Sequence, residues 1–268
     1  MMIKGIDVAK WNGTIKWYRV AKADVDFAII KIINKKLQPD GQFLNNLSGC
    51  IAAGVPWGVY HYTYAKTVAE AQQAASVIVG LLGKFKPDKK VWLDVEDEVM
   101  KNRGEYLMEI IEAYRKIIEG AGFEFGIYTG EYFYNQYIRP YCKRKYSLWI
   151  AKYPYSDAFV TLKDDLPRKR PNIGTDYEYW QYSSKGRVDG IEGNVDLNVQ
   201  MNEASCYLQA VMHGDSLVKA LEEIGVDSSF DSRKKIAAVN GIDNYMGTAA
   251  QNMELFVLLR AGRLRKGE

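Results

Sequence analysis

Histidine is the scarcest chemistry-bearing residue in this chain, with only His61 and His213 in 268 residues. No H-E-x-x-H pair is present, which argues against a zinc peptidase. The absence of a G-x-S-x-G elbow argues against an esterase triad, and without a G-x-G-x-x-G or Walker loop no nucleotide site is supported. Cysteine is almost as rare. Cys50, Cys142 and Cys206 are odd in number and lack C-x-x-C spacing, the pattern of reduced thiols rather than of a disulfide scaffold or a structural metal. A formal net charge of +3 is too small for a nucleic-acid carrier, although it favours polyanionic surfaces. The longest apolar run, Ala74–Gly83 interrupted by Ser76, is too short to cross a bilayer, so no membrane insertion is expected. The N-terminus reaches Asp7 before any signal-peptide core forms, so the expectation is synthesis in the cytoplasm with no export signal. Carboxylates and aromatics are what remain.

Short apolar runs alternate with helical patterns over the first 200 residues. Strands are predicted at Ile3–Asp7, Phe27–Ile33, Trp57–Tyr62, Val91–Val95, Phe123–Tyr128, Ser147–Ala151, Tyr177–Tyr182 and Asn194–Leu197. Helices are predicted at Ile15–Lys22, Gln42–Ala53, Val68–Leu82, Glu105–Glu119 and Glu131–Tyr137. The fold class is therefore α/β: a TIM-like (β/α) barrel over residues 1–201 with an irregular last third. The basic triplet Arg168-Lys169-Arg170 reads as part of a solvated loop. Residues 202–215 read as a linker, in which Met212 is a candidate internal start. From Ser216 aromatics become rare and Leu217, Leu221 and Ile224 take up helical spacing, followed by Ile236, Ala237 and Ile242, then Leu255, Phe256, Leu258 and Leu259. Residues 216–268 are predicted to form a small module of about three helices.

The segment Val91-Trp92-Leu93-Asp94-Val95-Glu96-Asp97 runs an apolar strand into acids. Alternate strand residues share a face, so Asp94 and Glu96 point the same way, with Cα atoms roughly 6.5–7 Å apart at strand rise. That spacing suits two carboxylates flanking one glycosidic bond. The plainer alternative is an acidic strand end neutralised by Lys or Arg. Asp7 and Asp196 also mark predicted strand ends, and a barrel gathers such ends on one rim. Each could cap a helix or pair a cation, but together four crowded acids are costly unless they shift one another's pKa. The same rim is framed by Tyr60, Tyr62, Tyr64, Tyr128, Trp149, Tyr153, Trp180 and Tyr182. Tyr offers a flat apolar face and a polar tip for stacking on sugars. Tyr60 and Trp180 read as barrel core, and Tyr62 and Tyr128 as substrate contacts.

Several motifs recur in order: Gly5-Ile6-Asp7-Val8-Ala9-Lys10-Trp11-Asn12-Gly13, Gly58-Val59-Tyr60-His61-Tyr62, Trp92-Leu93-Asp94-Val95-Glu96, Gly126-Ile127-Tyr128-Thr129, Leu148-Trp149-Ile150-Ala151, Trp180-Gln181-Tyr182-Ser183-Ser184 and Gly190-Ile191-Glu192-Gly193-Asn194-Val195-Asp196-Leu197-Asn198. In these the chain resembles the glycoside hydrolase family 25 lysozymes, N-acetylmuramidases found in many phage endolysins. Ala9 stands where the family usually has Ser. Where the family commonly reads Ile-Lys-Ala-Thr-Glu-Gly, this chain has Ile30-Lys31-Ile32-Ile33-Asn34-Lys35, which keeps Lys31 and changes the adjacent loop.

The resemblance implies cleavage of the β-1,4 bond from N-acetylmuramic acid to N-acetylglucosamine in bacterial peptidoglycan, without cofactor or metal. It implies Glu96 as general acid, its pKa raised by Asp94 and by apolar neighbours such as Trp92. Asp94 would stabilise the oxocarbenium-like centre or orient the substrate's N-acetyl group. Asp7 and Asp196 would tune charge and hold the sugar, with Tyr62, Tyr128, Lys31, Trp149 and Gln181 as substrate contacts. It further implies a phage endolysin held in the cytoplasm of a Gram-positive host until lysis, its tail binding a cell-wall ligand or self-associating. The alternatives are a chitinase-like amino-sugar hydrolase and a catalytically inactive wall- or sugar-binding protein.

Overall fold

Eight strands close into one barrel in sequence order: β1 (Ile3–Val8), β2 (Phe27–Lys31), β3 (Trp57–Tyr62), β4 (Val91–Asp94), β5 (Phe125–Gly130), β6 (Ser147–Ala151), β7 (Tyr179–Gly186) and β8 (Val195–Gln200). The computed structural model describes residues 3–154, 160, 162, 170–201, 208, 215–260 and 264–267. The chain forms two units, Met1–Pro167 with Pro171–Gln200, and Met201–Glu268 with Arg168–Arg170. Arg168, Lys169, Met212 and most of the expected linker lie outside the described residues.

In the first unit β1 to β7 run parallel, whereas β8 pairs antiparallel with both β7 and β1. The crossovers of the barrel are helical: α1 (Trp17–Val20), α2 (Phe43–Ala53), α3 (Val68–Leu82), α4 (Glu105–Gly120) and the short α5 (Glu131–Phe133). Thr67 caps α3 by accepting the Glu70 N–H, and Gly54 ends α2 in the left-handed conformation that a side chain resists. After α5 no helix connects β6 to β7 among the described residues, so the last third departs from regular β/α alternation.

The barrel interior is an aromatic floor of Phe27, Trp92, Tyr128, Trp149 and Tyr179 with Ile29. Their rings meet edge to face, Tyr128 on Trp149 at 4.4 Å and Trp92 on Tyr179 at 5.1 Å between centroids, the arrangement that ring quadrupoles favour. Two strand glycines make room: a Cβ on Gly5 would stand 2.3 Å from the Phe27 ring, and one on Gly126 2.3 Å from Trp92. This packed layer supports the carboxylates above it.

Among the described residues, the second unit contains the helices α6 (Leu217–Glu223), α7 (Phe230–Val239) and α8 (Ala249–Arg260). Ser216 and Ser229 cap the first two. None exceeds 12 residues, so each depends on mutual packing for stability. Leu217, Leu221, Ile236, Leu255 and Leu259 supply that core. Leu208, from the expected linker, is buried among them and donates its N–H to the Leu264 carbonyl at 2.7 Å.

Candidate active site

Strand β4 ends at Asp94, one residue earlier than predicted, and Glu96 follows it in extended chain outside the ladder. The extension is held from β5: Val95 donates its N–H to the Tyr128 carbonyl at 2.9 Å and accepts the Thr129 hydroxyl at 2.6 Å. Val95 is fully buried, and this anchor places Asp94 and Glu96 at the mouth of the barrel. Asp94 is 4% exposed, and its Oδ1 has no hydrogen-bond partner among the described residues. A buried carboxylate oxygen left unsatisfied calls for a functional explanation.

Asp7 and Asp196 face each other across the β1–β8 ladder. Asp196 stands at the start of its strand rather than at the end expected from the sequence. Because β8 runs antiparallel to its neighbours, its start opens on the rim where β1 and β4 end. Asp7 accepts Gln181 Nε2 and Asn198 Nδ2, both at 2.8 Å, and Gln181 Nε2 also lies 3.3 Å from Asp196. Gln181 sits beside a register shift in β7, where an extra residue re-aims neighbouring side chains. Its Oε1 accepts the hydroxyls of Tyr128 and Tyr153 at 2.7 and 2.6 Å. One amide thus joins two tyrosines to two carboxyls.

Burial raises the pKa of all four acids, and their mutual repulsion adds to it for three of them. Asp196 is pushed up first by burial, then by the charge of Asp7, to which it is hydrogen-bonded. Asp7 is raised by burial against the pull of its bonds from Asn198, Gln181 and Asp196. A proton on Asp196, donated to Asp7, satisfies both. Glu96 is raised by burial, then by Asp7 and Asp97, and it and Asp94 repel each other. Asp94, more deeply buried, is raised by burial and by Glu96, and lowered by the Lys31 ammonium. Asp196, pushed up to about 9, therefore holds a proton at neutral pH, and of Asp94 and Glu96 the deeper acid is raised further.

Asp196→Asn is expected to raise the melting temperature, and by more as pH rises above about 4. A group whose pKa is raised on folding contributes its stability below the unfolded pKa and loses it as pH climbs through the folded one, whereas Asn is indifferent to pH. Thermal melts of both proteins from pH 4 to 8 read the effect. A gap that stays constant with pH would mean that Asp196 folds with an ordinary pKa.

The candidate contact residues divide by depth. Tyr62 is half-buried, its hydroxyl donating to Asp97 Oδ2 at 3.1 Å, and Lys31 lies between the Tyr60 and Tyr62 rings at 5.5 and 5.7 Å. Trp149 is 1% exposed, packed in the aromatic floor, with Nε1 donating to Asn198 at 2.8 Å. Gln181 and Tyr128 are also buried and bonded to each other. Trp149 and Gln181 thus position the acids from beneath, through Asn198 and Asp7. Tyr60 packs against the floor, and Trp180 is fully buried with Nε1 on the Lys152 carbonyl at 3.0 Å. Asn198 and Asp97 received no role from the sequence. Asn198 lies two residues from Asp196 on the same strand, so period-two spacing could have found it.

The sequence profile described as "Glycosyl hydrolases family 25" matches residues 6–191. An uncharacterized protein, YegX, of Escherichia coli O157:H7 is 30% identical over 217 residues, 79% of this chain and 74% of its own. The autolytic lysozyme of Clostridium acetobutylicum is 27% identical over 230 residues, 82% of this chain and 64% of its own. A stretch of 38 residues is 55% identical to the L-alanyl-D-glutamate peptidase of Listeria phage A118, 14% of each chain. Among solved structures, the catalytic domain of endolysin ply40 from Listeria monocytogenes bacteriophage P40 superposes with a TM-score of 0.59 at 26% identity, covering 75% of this chain and 94% of that one. The modular autolysin LytC from Streptococcus pneumoniae shares the fold (TM-score 0.61, 24% identity) over 75% of this chain, which spans about half, 47%, of that protein.

Proposed function

We propose that this chain, which belongs to glycosyl hydrolase family 25 and is a peptidoglycan hydrolase of the lysozyme type, cleaves the β-1,4 bond from N-acetylmuramic acid to N-acetylglucosamine. The observation that carries this reading is the group of four raised acids, Asp7, Asp94, Glu96 and Asp196, with Asp94 Oδ1 left unsatisfied. Glu96 is the proton donor to the leaving oxygen, since it is the less buried of the β4 pair and makes no hydrogen bond among the described residues. Positive charge developing at the sugar C1, together with Lys31, favours Asp94 as the anion and leaves the pair's proton on Glu96. Asp94 then stabilises that charge or orients the substrate's acetamido group. Gln181 and Asn198 hold Asp7 beneath it.

The new reducing ends released from purified walls are expected to be muramic acid. Borohydride reduction and sugar analysis should give muramicitol; glucosaminitol would identify a glucosaminidase and refute the bond assignment. The same assay separates wall hydrolysis from a chitinase-like activity and from an inactive binding protein.

The tail is assigned to wall binding, as an anchor that raises the enzyme's effective concentration on an insoluble substrate. A stretch of 38 residues similar to part of a phage peptidase, a protein whose activity is not glycosidic, supports a non-catalytic part in the chain. Tagged residues 216–268 are expected to co-sediment with susceptible walls without lysing them. If they stay in the supernatant while the full chain sediments, wall affinity belongs to the barrel and the tail serves assembly. The endolysin reading, with the enzyme held in the host cytoplasm until lysis, rests on the likeness to ply40.

A further inference from the structure

Of the six tryptophans in this chain, Trp17, Trp57, Trp92, Trp149 and Trp180 are each at most 6% exposed, whereas Trp11 is 81% exposed. A single exposed apolar side chain is ordinary on a protein surface. Trp11 differs in where it stands and in how firmly it is held, and the hydrolytic scheme gives it no part.

The indole belongs to a single turn, Lys10–Asn12, which begins two residues after β1 ends and carries the chain away from Asp7 at the rim. The turn is tied down on both sides. Asn12 Oδ1 accepts the Ala9 N–H at 2.9 Å, and Asn12 Nδ2 donates to the Asn194 carbonyl at 3.0 Å, two residues before Asp196. Gly13 then leaves the turn at φ 64°, a left-handed value that suits glycine. Trp11 therefore stands on the wall of the mouth that β1 and β8 form, beside the Asp7–Asp196 pair. In a closed ring of eight strands β8 lies directly opposite β4, so this wall faces Glu96 across the mouth. Lys10 Nζ lies 4.4 Å from the centre of the Trp11 ring and occupies one face of it. The high exposure leaves the other face open to solvent. A flat, electron-rich face suits the C–H face of a pyranose ring, and one fixed in advance loses little freedom on binding.

We propose that Trp11 is a stacking platform for a sugar remote from the cleaved bond, so that the enzyme holds a length of glycan strand across the barrel mouth. The choice of that ligand rests on the muramidase reading above. Because the other five tryptophans are buried, quenching of tryptophan fluorescence by acrylamide reads Trp11 in the full chain. In the Glu96→Gln protein, soluble glycan strands freed of peptide by an amidase should shield Trp11 from acrylamide saturably. No shielding at strand concentrations several times the wild-type KM overturns the platform. In hydrolysis, Trp11→Ala should lower kcat/KM about tenfold on long strands, the upper range of an aromatic stacking contact. The same variant should cut the shortest susceptible strands at the wild-type rate, and Trp11→Phe should recover most of the loss on long ones. Equal loss on long and short strands, or loss on neither, also overturns the platform. A wild-type protein that cuts no glycan, while strands still shield Trp11 in the Glu96→Gln chain, would refute the muramidase reading alone.

Discussion

Glu96→Gln is expected to abolish wall lysis while leaving folding intact. Gln keeps the shape and removes the transferable proton, and general-acid contributions reach about 10²–10⁴-fold. Release of reducing ends should fall by about three orders of magnitude on that scale. The melting temperature should hold or rise, because the side chain makes no hydrogen bond among the described residues and its charge is opposed by burial and by Asp7 and Asp97. A variant that melts normally yet retains a tenth of wild-type activity would move the proton donor elsewhere on the rim.

Asp94→Asn should cost two to three orders of magnitude in kcat, the range reached when one preorganised electrostatic partner of the transition state is lost. KM should change little, because the charge that Asp94 meets develops only at the transition state. The variant should also be more stable than wild type. Asp94 is buried with an unpartnered oxygen and raised by burial and Glu96, a cost accepted for function and relieved by a neutral amide. Thermal melts alongside steady-state rates on wall fragments read both effects. Unchanged kcat with lowered stability would make Asp94 a packing residue and leave Glu96 without an electrostatic partner.

Much of this site was legible because its signals are local. The run from Val91 to Asp97 shows its strand and its acids by period-two spacing, and β3 and β6 have the bounds that their apolar runs predict. Helix α3 matches its predicted bounds for the same reason, with a Thr cap before it and Gly83 after it. The tail's spacing of Leu217 and Leu221, then Leu255 and Leu259, carried its helices and their buried faces. Pattern is silent about depth. Trp149 stands in the sequence as one of the aromatics framing the rim, and only the fold shows its ring in the barrel floor. Only the fold shows that Gln181 ties Tyr128 and Tyr153 to Asp7 and Asp196.

The sequence by itself determined the barrel class, the pairing of Asp94 with Glu96 and the helical tail, because side-chain periodicity is written over a few consecutive residues. Only the tertiary structure decided the direction of β8, and with it the arrival of Asp196 opposite Asp7 at the same rim. It also decided which acids hold protons. A pKa depends on burial and on charges brought from distant strands, and Asp7 meets Gln181 and Asn198 only once the barrel has closed.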